Sequence, residues 1–477
     1  MKLFYDIANA GFYVYSTFII GYFIFVNTFY FTMLAVSFSA IVHYLRRNKF
    51  CDYTVIMQSE LTPAISILAP AYNESATCVH STHSLLKLNY PTAEVIFIND
   101  GSKDDTLEVM IREFGLVKTQ RVYVQKIFTQ PVLGIYISTK KEYKNLILVN
   151  KCNGGKADAL NVGINVSRYP LMCAIDADSI LEDDALLKVV KPFLDNNRVI
   201  AVGGIVRIAN GCTVEHGRVK EIRLSKKFIP SFQVVEYFRA YLSGRMGWSA
   251  LNGLLIISGA FGLFLKEIVL AVGGYKHDTV GEDMELVVRM HRHCKENKIP
   301  YGVEFVPDPV CWTEAPETLK VLGRQRNRWH RGLIDTLLIH KRMLCNPRYG
   351  VLGTLAVPYF FFIEMLGPII EAIGYIAVLA GFFLRIINVQ IFILFFVVSV
   401  VYGVMFSVGA VLLEEISFHR YPRLQDLLKL MFLGVIENFG YRQLTVWWRV
   451  RSFWDYFRGV KTWGAMHRVG FANQAKK

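Results

Sequence analysis

The chain has 477 residues, of which 53% are hydrophobic and 14% aromatic, and its formal net charge is +14. That length accommodates two soluble domains, or one domain plus membrane segments, and the apolar content favours the second. The positive charge crowds beside apolar runs, as on the cytosolic flanks of membrane segments; no helix-turn-helix, finger or RNA-binding signature supports a nucleic-acid partner.

The first apolar block runs from about Phe12 to Leu45 and ends at Arg46-Arg47-Asn48-Lys49. It exceeds the ~20 residues that a bilayer requires, so it predicts one long tilted helix with an interfacial start, or two short spans. No small-residue cleavage site follows it, so no removable signal peptide is expected. Residues 1–46 are therefore assigned to N-terminal membrane segments.

Residues 47–345 read as a cytosolic α/β domain with interfacial helices. ISILAP (65–70), VIFIND (95–100), LILVN (146–150) and LMCAID (171–176) are short apolar runs, each followed by polar turn residues and a helical pattern such as Lys156–Ser167. Strand-then-helix repetition predicts a parallel, Rossmann-like sheet. In such sheets ligands bind beyond the carboxyl ends of the strands, where Asn73-Glu74, Asp100, Asn150 and Asp176 fall. The stretch WSALNGLLIISGAFGLFL (248–265) is apolar enough to imitate a span, but a crossing there would separate AIDADS from VGEDME. It is read as buried core or an interface-facing helix followed by a strand.

Eight cysteines (51, 78, 152, 173, 212, 294, 311 and 345) are scattered without a CxxC pair, as expected of reduced thiols in a cytosolic domain. His291, His293 and Cys294 lie close together, but no second cluster completes a zinc site; a polar helix face is the simpler reading. From about Gly353 the chain turns apolar again. Leu355–Ile386 carries Glu364 and Glu371, Val389–Leu413 forms another span, and Leu427–Trp448 carries Glu437 and Arg442. Ionisable residues in such runs face a bundle interior or an aqueous cavity. Residues 346–448 thus form a C-terminal membrane region and 449–477 a basic, aromatic cytosolic tail. Three simple crossings over 355–448 would put that tail outside, so either one run is split or re-entrant, or 427–448 lies along the membrane.

Several short motifs carry chemistry. AIDADS places Asp176 and Asp178 at a strand end, where two carboxylates can approach one hard cation such as Mg²⁺ or Mn²⁺; with Glu182, Asp183 and Asp184 beyond, a solvated acidic turn is the plain alternative. FINDGSKDDT offers Asp100 for a ribose or base edge, or simply a strand-to-helix turn. APAYNES adds Tyr72 as a stacking platform or a core tyrosine, beside Asn73-Glu74. NKCNGGKADALN combines a Gly-Gly turn, Lys156 and a helix start, a combination suited to phosphate oxygens without being a Walker A loop. VGEDME offers Glu282 and Asp283 for general-base work, or a surface acidic pair opening a helix. RQRNRWHRG (324–332) joins Arg328, able to neutralise diphosphate charge, to Trp329, able to stack on a sugar, with Gln325 as a hydrogen bonder. A snorkelling interfacial helix is the alternative.

In order, PAYNE, NDGS, GGKADALN, DAD, SGAF, GED and QRNRW between membrane segments resemble the family 2 membrane glycosyltransferases. The resemblance is greatest to the processive branch: poly-N-acetylglucosamine, chitin-oligosaccharide, hyaluronan and cellulose synthases. It covers roughly residues 60–335. It implies a cytosolic GT-A domain, Rossmann-like, inserted between N- and C-terminal transmembrane helices of an integral inner-membrane protein. The implied reaction is inverting, metal-dependent transfer from a UDP-sugar, UDP-GlcNAc or UDP-glucose, to a growing β-linked polysaccharide that passes through a membrane channel. Tyr72, Glu74, Asp100, Lys156, Asp176, Asp178 and Arg328 would bind the donor, with Asp176 and Asp178 holding Mg²⁺ or Mn²⁺. Asp283 would be the general base, and Gly259, Gln325 and Trp329 would meet the acceptor. Arg324, Arg326 and Arg331 are read as interfacial charges. Membrane lipids, and accessory export or modification subunits, are compatible partners.

SGAFG (258–262) departs from the Cys-containing F-F-C-G-S-type acceptor motif of cellulose synthases, which weakens that carry-over. No R-x-x-x-R regulatory domain follows the membrane region, so cyclic-di-GMP control through one is not expected. KTWGAMHR (461–468) is faintly similar to the gating segment of hyaluronan synthases, with Trp463 as a donor-site gate or an interfacial anchor. The competing readings are a transferase that places one sugar on a membrane lipid, and a non-catalytic membrane scaffold or channel.

Overall fold

The computed structural model describes residues 2–177, 179–215, 217–383 and 389–460. Its centre is a ten-stranded sheet. The strands are β1 (Ile65–Ala71), β2 (Ala93–Asp100), β3 (Leu116–Thr119), β4 (Val132–Ser138), β5 (Leu146–Lys151), β6 (Leu171–Ile175), β7 (Ile180–Leu181), β8 (Val199–Ile208), β11 (Phe261–Leu265) and β12 (Gly302–Thr313). A separate ribbon pairs β9 (Thr213–Glu215) with β10 (Arg218–Glu221). The sheet order is β3-β4-β5-β2-β1-β6-β11-β8-β12-β7. β6 and β8 are buried at every position, as expected of apolar strands covered on both faces.

The sheet is mixed, whereas the sequence predicted a parallel one. β5, β2, β1 and β6 are parallel neighbours, and they include all four predicted strands. β11 runs antiparallel between β6 and β8, with Phe261 opposite Ile175. The chain re-enters the sheet at the carboxyl end of β6, so β11 must run backwards, and Ser258-Gly259 is left at the ligand-binding edge. This mixed α/β sheet is the GT-A-like architecture expected.

The apparent span at 248–265 is resolved the same way. The helix Met246–Ala250 ends there, Leu254, Leu255 and Ile257 are buried in non-helical chain, and β11 follows. The expected strand is present, and the helix covers only the start of the stretch.

Among the described residues three helices are long and apolar enough to cross a membrane: Thr17–Asn48, Leu352–Phe383 and Phe392–Ser417. The first apolar block is one helix, Lys2–Asn48. The run 427–448 is divided between helices Leu424–Ile436 and Tyr441–Phe457, separated around Gly440 at φ 101°. With three crossings, the α/β domain and the segment after the third span share one side. The domain is fastened to the spans by Ser37 Oγ, which donates to the Ser243 carbonyl at 2.6 Å, and by the buried Arg207–Glu414 ion pair at 2.8 Å.

Candidate active site

β2 ends at Asp100, whose carboxylate organises the next loop. It accepts from Lys151 Nζ at 2.5 Å, Gly154 N at 3.0 Å, Gly155 N at 2.8 Å and Asn153 Nδ2 at 3.3 Å. Lys151 is fully buried and also pairs with Asp158 at 2.6 Å. A buried ammonium is tolerated here because two carboxylates surround it. Gly155 takes φ 85° and leads into the helix Lys156–Val166, which brings Lys156 to the site. Sequence reasoning missed Lys151; its signal was an ionisable residue ending an otherwise apolar strand.

Lys156 donates to the Asp176 carboxylate beyond β6, and its Nζ lies 3.5 Å from the Gly259 carbonyl. Gly259 N donates in turn to Asp283 Oδ2 at 3.2 Å. Four sequence-predicted residues thus form one contact chain across the carboxyl edge of the sheet. Burial alone would lower the Lys156 pKa, but Asp176, Glu282 and Asp283 outweigh it and raise the ammonium above its ordinary value. Beside it, burial pushes the Glu282 carboxyl up to about 7, with Asp283 adding and Lys156 and Arg328 opposing.

Tyr72 is 44% exposed at the cavity, so it is not a core tyrosine. Its neighbour Asn73, at φ 57°, accepts from Lys103 N at 2.8 Å, and Glu74 N donates to Thr106 Oγ1 at 3.0 Å. These bonds tie the Tyr72–Glu74 loop to the turn after Asp100.

The basic motif lies on the helix Leu319–Ile339, capped by Thr318. Gln325, Arg328, Trp329 and Gly332 recur at i, i+3, i+4 and i+7 and face the cavity together. Arg326 and Arg331 are not interfacial charges, which corrects the sequence expectation. Both are buried. Arg326 pairs with Glu236, donates to Gln325 Oε1 at 2.8 Å and lies 4.5 Å from the Trp329 ring centre. Arg331 donates to Asn327 Oδ1 at 2.9 Å and to the Val460 carbonyl. A helix packed on two sides turns part of any basic run inward. Arg324 stays exposed.

Tyr72, Glu74, Asp100, Lys156, Asp176, Gly259, Asp283, Gln325, Arg328 and Trp329 all line one continuous cavity of about 2270 Å³. Asp178 and Trp463 lie outside the described residues. Among the described residues no cluster of three His, Cys, Asp or Glu side chains forms a metal cage. A carboxylate facing the cavity at a strand end nevertheless fits a hard cation that shares its shell with phosphate oxygens. His291 is buried and bonded to the Leu254 carbonyl and Tyr301, and burial lowers its pKa to about 4; it is a core histidine.

Two family models match: "Glycosyl transferase family 2" over residues 66–124 and "Glycosyltransferase like family 2" over residues 135–332. Among curated proteins, a poly-beta-1,6-N-acetyl-D-glucosamine synthase of Staphylococcus epidermidis is 29% identical over 301 residues, 63% of this chain and 62% of that protein. The synthase of the same description from Staphylococcus aureus strain COL is 30% identical over 275 residues, 57% of this chain and 55% of that protein. The chain therefore spans less than two thirds of the length of these relatives. A solved mannosyltransferase from Pyrobaculum calidifontis, PcManGT in complex with GDP-Man and Mn²⁺, superposes with a TM-score of 0.49 at 16% identity, over 87% of this chain and 99% of that one. That likeness is too loose to carry a functional inference.

Proposed function

We propose that this chain, a family 2 glycosyltransferase by the domain it carries, extends a β-linked polysaccharide by inverting transfer from a UDP-sugar. The relatives favour N-acetylglucosamine as the sugar unit; UDP-glucose is the other candidate donor. The observation that carries the reading is the single cavity in which Lys156, Asp176, Asp283, Arg328 and Trp329 converge and which continues between the spans.

Tyr72 offers its exposed ring to the nucleobase, and the Asp100-organised turn presents its edge to the ribose. Lys156 and Arg328 neutralise the diphosphate as it departs. Asp283 removes the proton of the acceptor hydroxyl as that oxygen attacks the anomeric carbon from the face opposite UDP, which inverts an α-linked donor to a β-linked product. Its Oδ2 is oriented by Gly259 N, and Oδ1 by Met284 N at 2.8 Å. Gln325 and Trp329 hold the acceptor end. A Mg²⁺ or Mn²⁺ held by Asp176 and Asp178 would neutralise diphosphate charge. Arg46-Arg47 at the end of the first span supports a cytosolic catalytic domain.

Asp283→Asn tests the assigned base. The variant should bind UDP-sugar as the parent does and lose transfer by about 100-fold or more; full transfer would remove Asp283 from the mechanism.

A further inference from the structure

Asp176 opens the short segment DADSILE (176–182) that leads from β6 into β7. Ser179 N donates back to the Asp176 carbonyl at 3.0 Å. Ile180 and Leu181 then pair with Trp312 and Cys311 of β12, and Glu182 N donates to the Val310 carbonyl at 3.1 Å. β7 is two residues long and lies at the edge of the sheet, so the backbone gives this segment a narrow seat. A small hard cation tolerates little error in the placing of its carboxylates.

The Glu182 side chain adds a further hold, and its partner comes from the membrane region. Arg420 Nη1 donates to Glu182 Oε1 at 2.9 Å and Nη2 to Oε2 at 3.2 Å. This two-pronged geometry makes an Arg–carboxylate pair directional as well as strong. Nη2 also reaches Asp308 Oδ1 at 3.5 Å, and Asp308 is paired with Lys188 at 3.3 Å. The Arg420 and Glu182 side chains are 24% and 23% exposed, so the pair avoids most of the screening that makes surface ion pairs weak.

Arg420 is itself rigidly presented. It stands three residues past the end of the third span, Phe392–Ser417. There Phe418 N and His419 N both donate to the Glu414 carbonyl, at 2.9 and 3.2 Å, and His419 adopts φ 47°. Arg420 N donates to Glu414 Oε1 at 3.4 Å, the same oxygen that accepts from Arg207 of β8. Tyr421, next in the chain, is buried. Neither Arg420 nor Glu182 lines the cavity, so the pair acts on the reaction only through the segment it holds.

We propose that Arg420 is a positioning residue for the donor's cation: through Glu182 it holds the segment that carries Asp176 and Asp178, and it makes the exit of the third span part of the site's support. The inference rests on the proposed assignment of Asp176 and Asp178 to Mg²⁺ or Mn²⁺. Removing residues that orient a metal's ligands from behind costs about 10- to 100-fold in affinity. The mechanical alternative is that the pair only fastens the α/β domain to the span, as Arg207–Glu414 does. It predicts a loss of stability with metal affinity unchanged.

The test measures Mn²⁺ binding by the detergent-solubilised chain with UDP present, from the electron paramagnetic resonance signal of the free ion. Arg420→Gln should weaken binding about tenfold and raise the Mn²⁺ needed for half-maximal transfer equally. Its kcat at saturating Mn²⁺ should stay within about twofold of the parent. Glu182→Gln should do the same, and the double variant should be no worse than either single, because both sever one contact. Arg420→Lys, which keeps the charge and loses the fork, should fall between; it also serves if Arg420→Gln folds poorly. Glu221→Gln breaks the exposed Arg423–Glu221 pair between the same two regions; it controls for general loosening and should bind Mn²⁺ as the parent does. Unchanged Mn²⁺ binding in Arg420→Gln, multiplied losses in the double variant, or an equal loss in Glu221→Gln would overturn the proposal. If Asp176→Asn leaves Mn²⁺ binding intact, the cation assignment itself falls, and this proposal with it.

Discussion

Gly332 packs directly on Gly281: a Cβ added to Gly332 would lie 2.7 Å from the Gly281 Cα. Gly332 closes the motif RQRNRWHRG, and Gly281 opens the helix that carries Glu282 and Asp283. The contact therefore sets the distance between the base and the helix bearing Arg328 and Trp329. A second tie lies further along the same pair of helices, where His340 meets the fully buried Glu285 at 3.2 Å.

Gly332→Ala should leave the protein folded but push the two helices apart. Displacements of this kind cost about 100-fold in turnover when they separate reacting groups. Steady-state kinetics should show the loss in kcat, with donor KM changed much less.

The Asp100–Lys151–Asp158 triad predicts a stability effect. Lys151→Met leaves two buried carboxylates facing each other, which should cost about 3–5 kcal/mol. Thermal unfolding of the detergent-solubilised protein measures it. Adding Asp158→Asn to Lys151→Met should recover part of the loss by removing one uncompensated charge.

Glu282 predicts a pH dependence. Burial raises its pKa from the ordinary 4.5 to about 7, so between those pH values the folded protein holds a proton that the unfolded chain has lost. The associated stability is full below the unfolded pKa and disappears as pH rises through about 7. Glu282→Gln should therefore gain up to about 3 kcal/mol over the parent at pH 8 and nothing at pH 4. In the parent, donor KM should rise above neutrality as a new negative charge appears beside the diphosphate; in Glu282→Gln that limb should flatten.

Arg326 predicts a split between the two substrates. It braces Gln325 and lies over the Trp329 ring. Arg326→Ala should loosen the acceptor platform and raise acceptor KM by about tenfold, with donor KM nearly unchanged. Equal effects on both would mean that Arg326 acts through the fold as a whole.

The parts of the site that were legible in the sequence share a physical cause. Buried strands such as ISILAPA (65–71) and AEVIFIND (93–100) are mostly apolar, with Ser66 and Glu94 bonded to each other near their amino ends, so the polar residues at and just beyond their carboxyl ends mark the ligand edge. Asn73-Glu74, Asp100 and Asp176 were found that way. Gly259 required the motif order, because the reversal at β11 has no local signature. The inward turn of Arg326 and Arg331 was hidden because a charge count cannot say which helix face is covered. The break near Gly440 was equally hidden, since hydropathy reads through a residue whose role is a φ of 101°.

The most direct test of polymerising transfer uses purified, detergent-solubilised protein supplied with radiolabelled UDP-N-acetylglucosamine and Mn²⁺. Products are separated by length and digested with linkage-specific hydrolases. A ladder of β-linked chains that disappears in Asp283→Asn is the predicted result. A single sugar on a lipid, or a ladder that survives Asp283→Asn, would contradict the account.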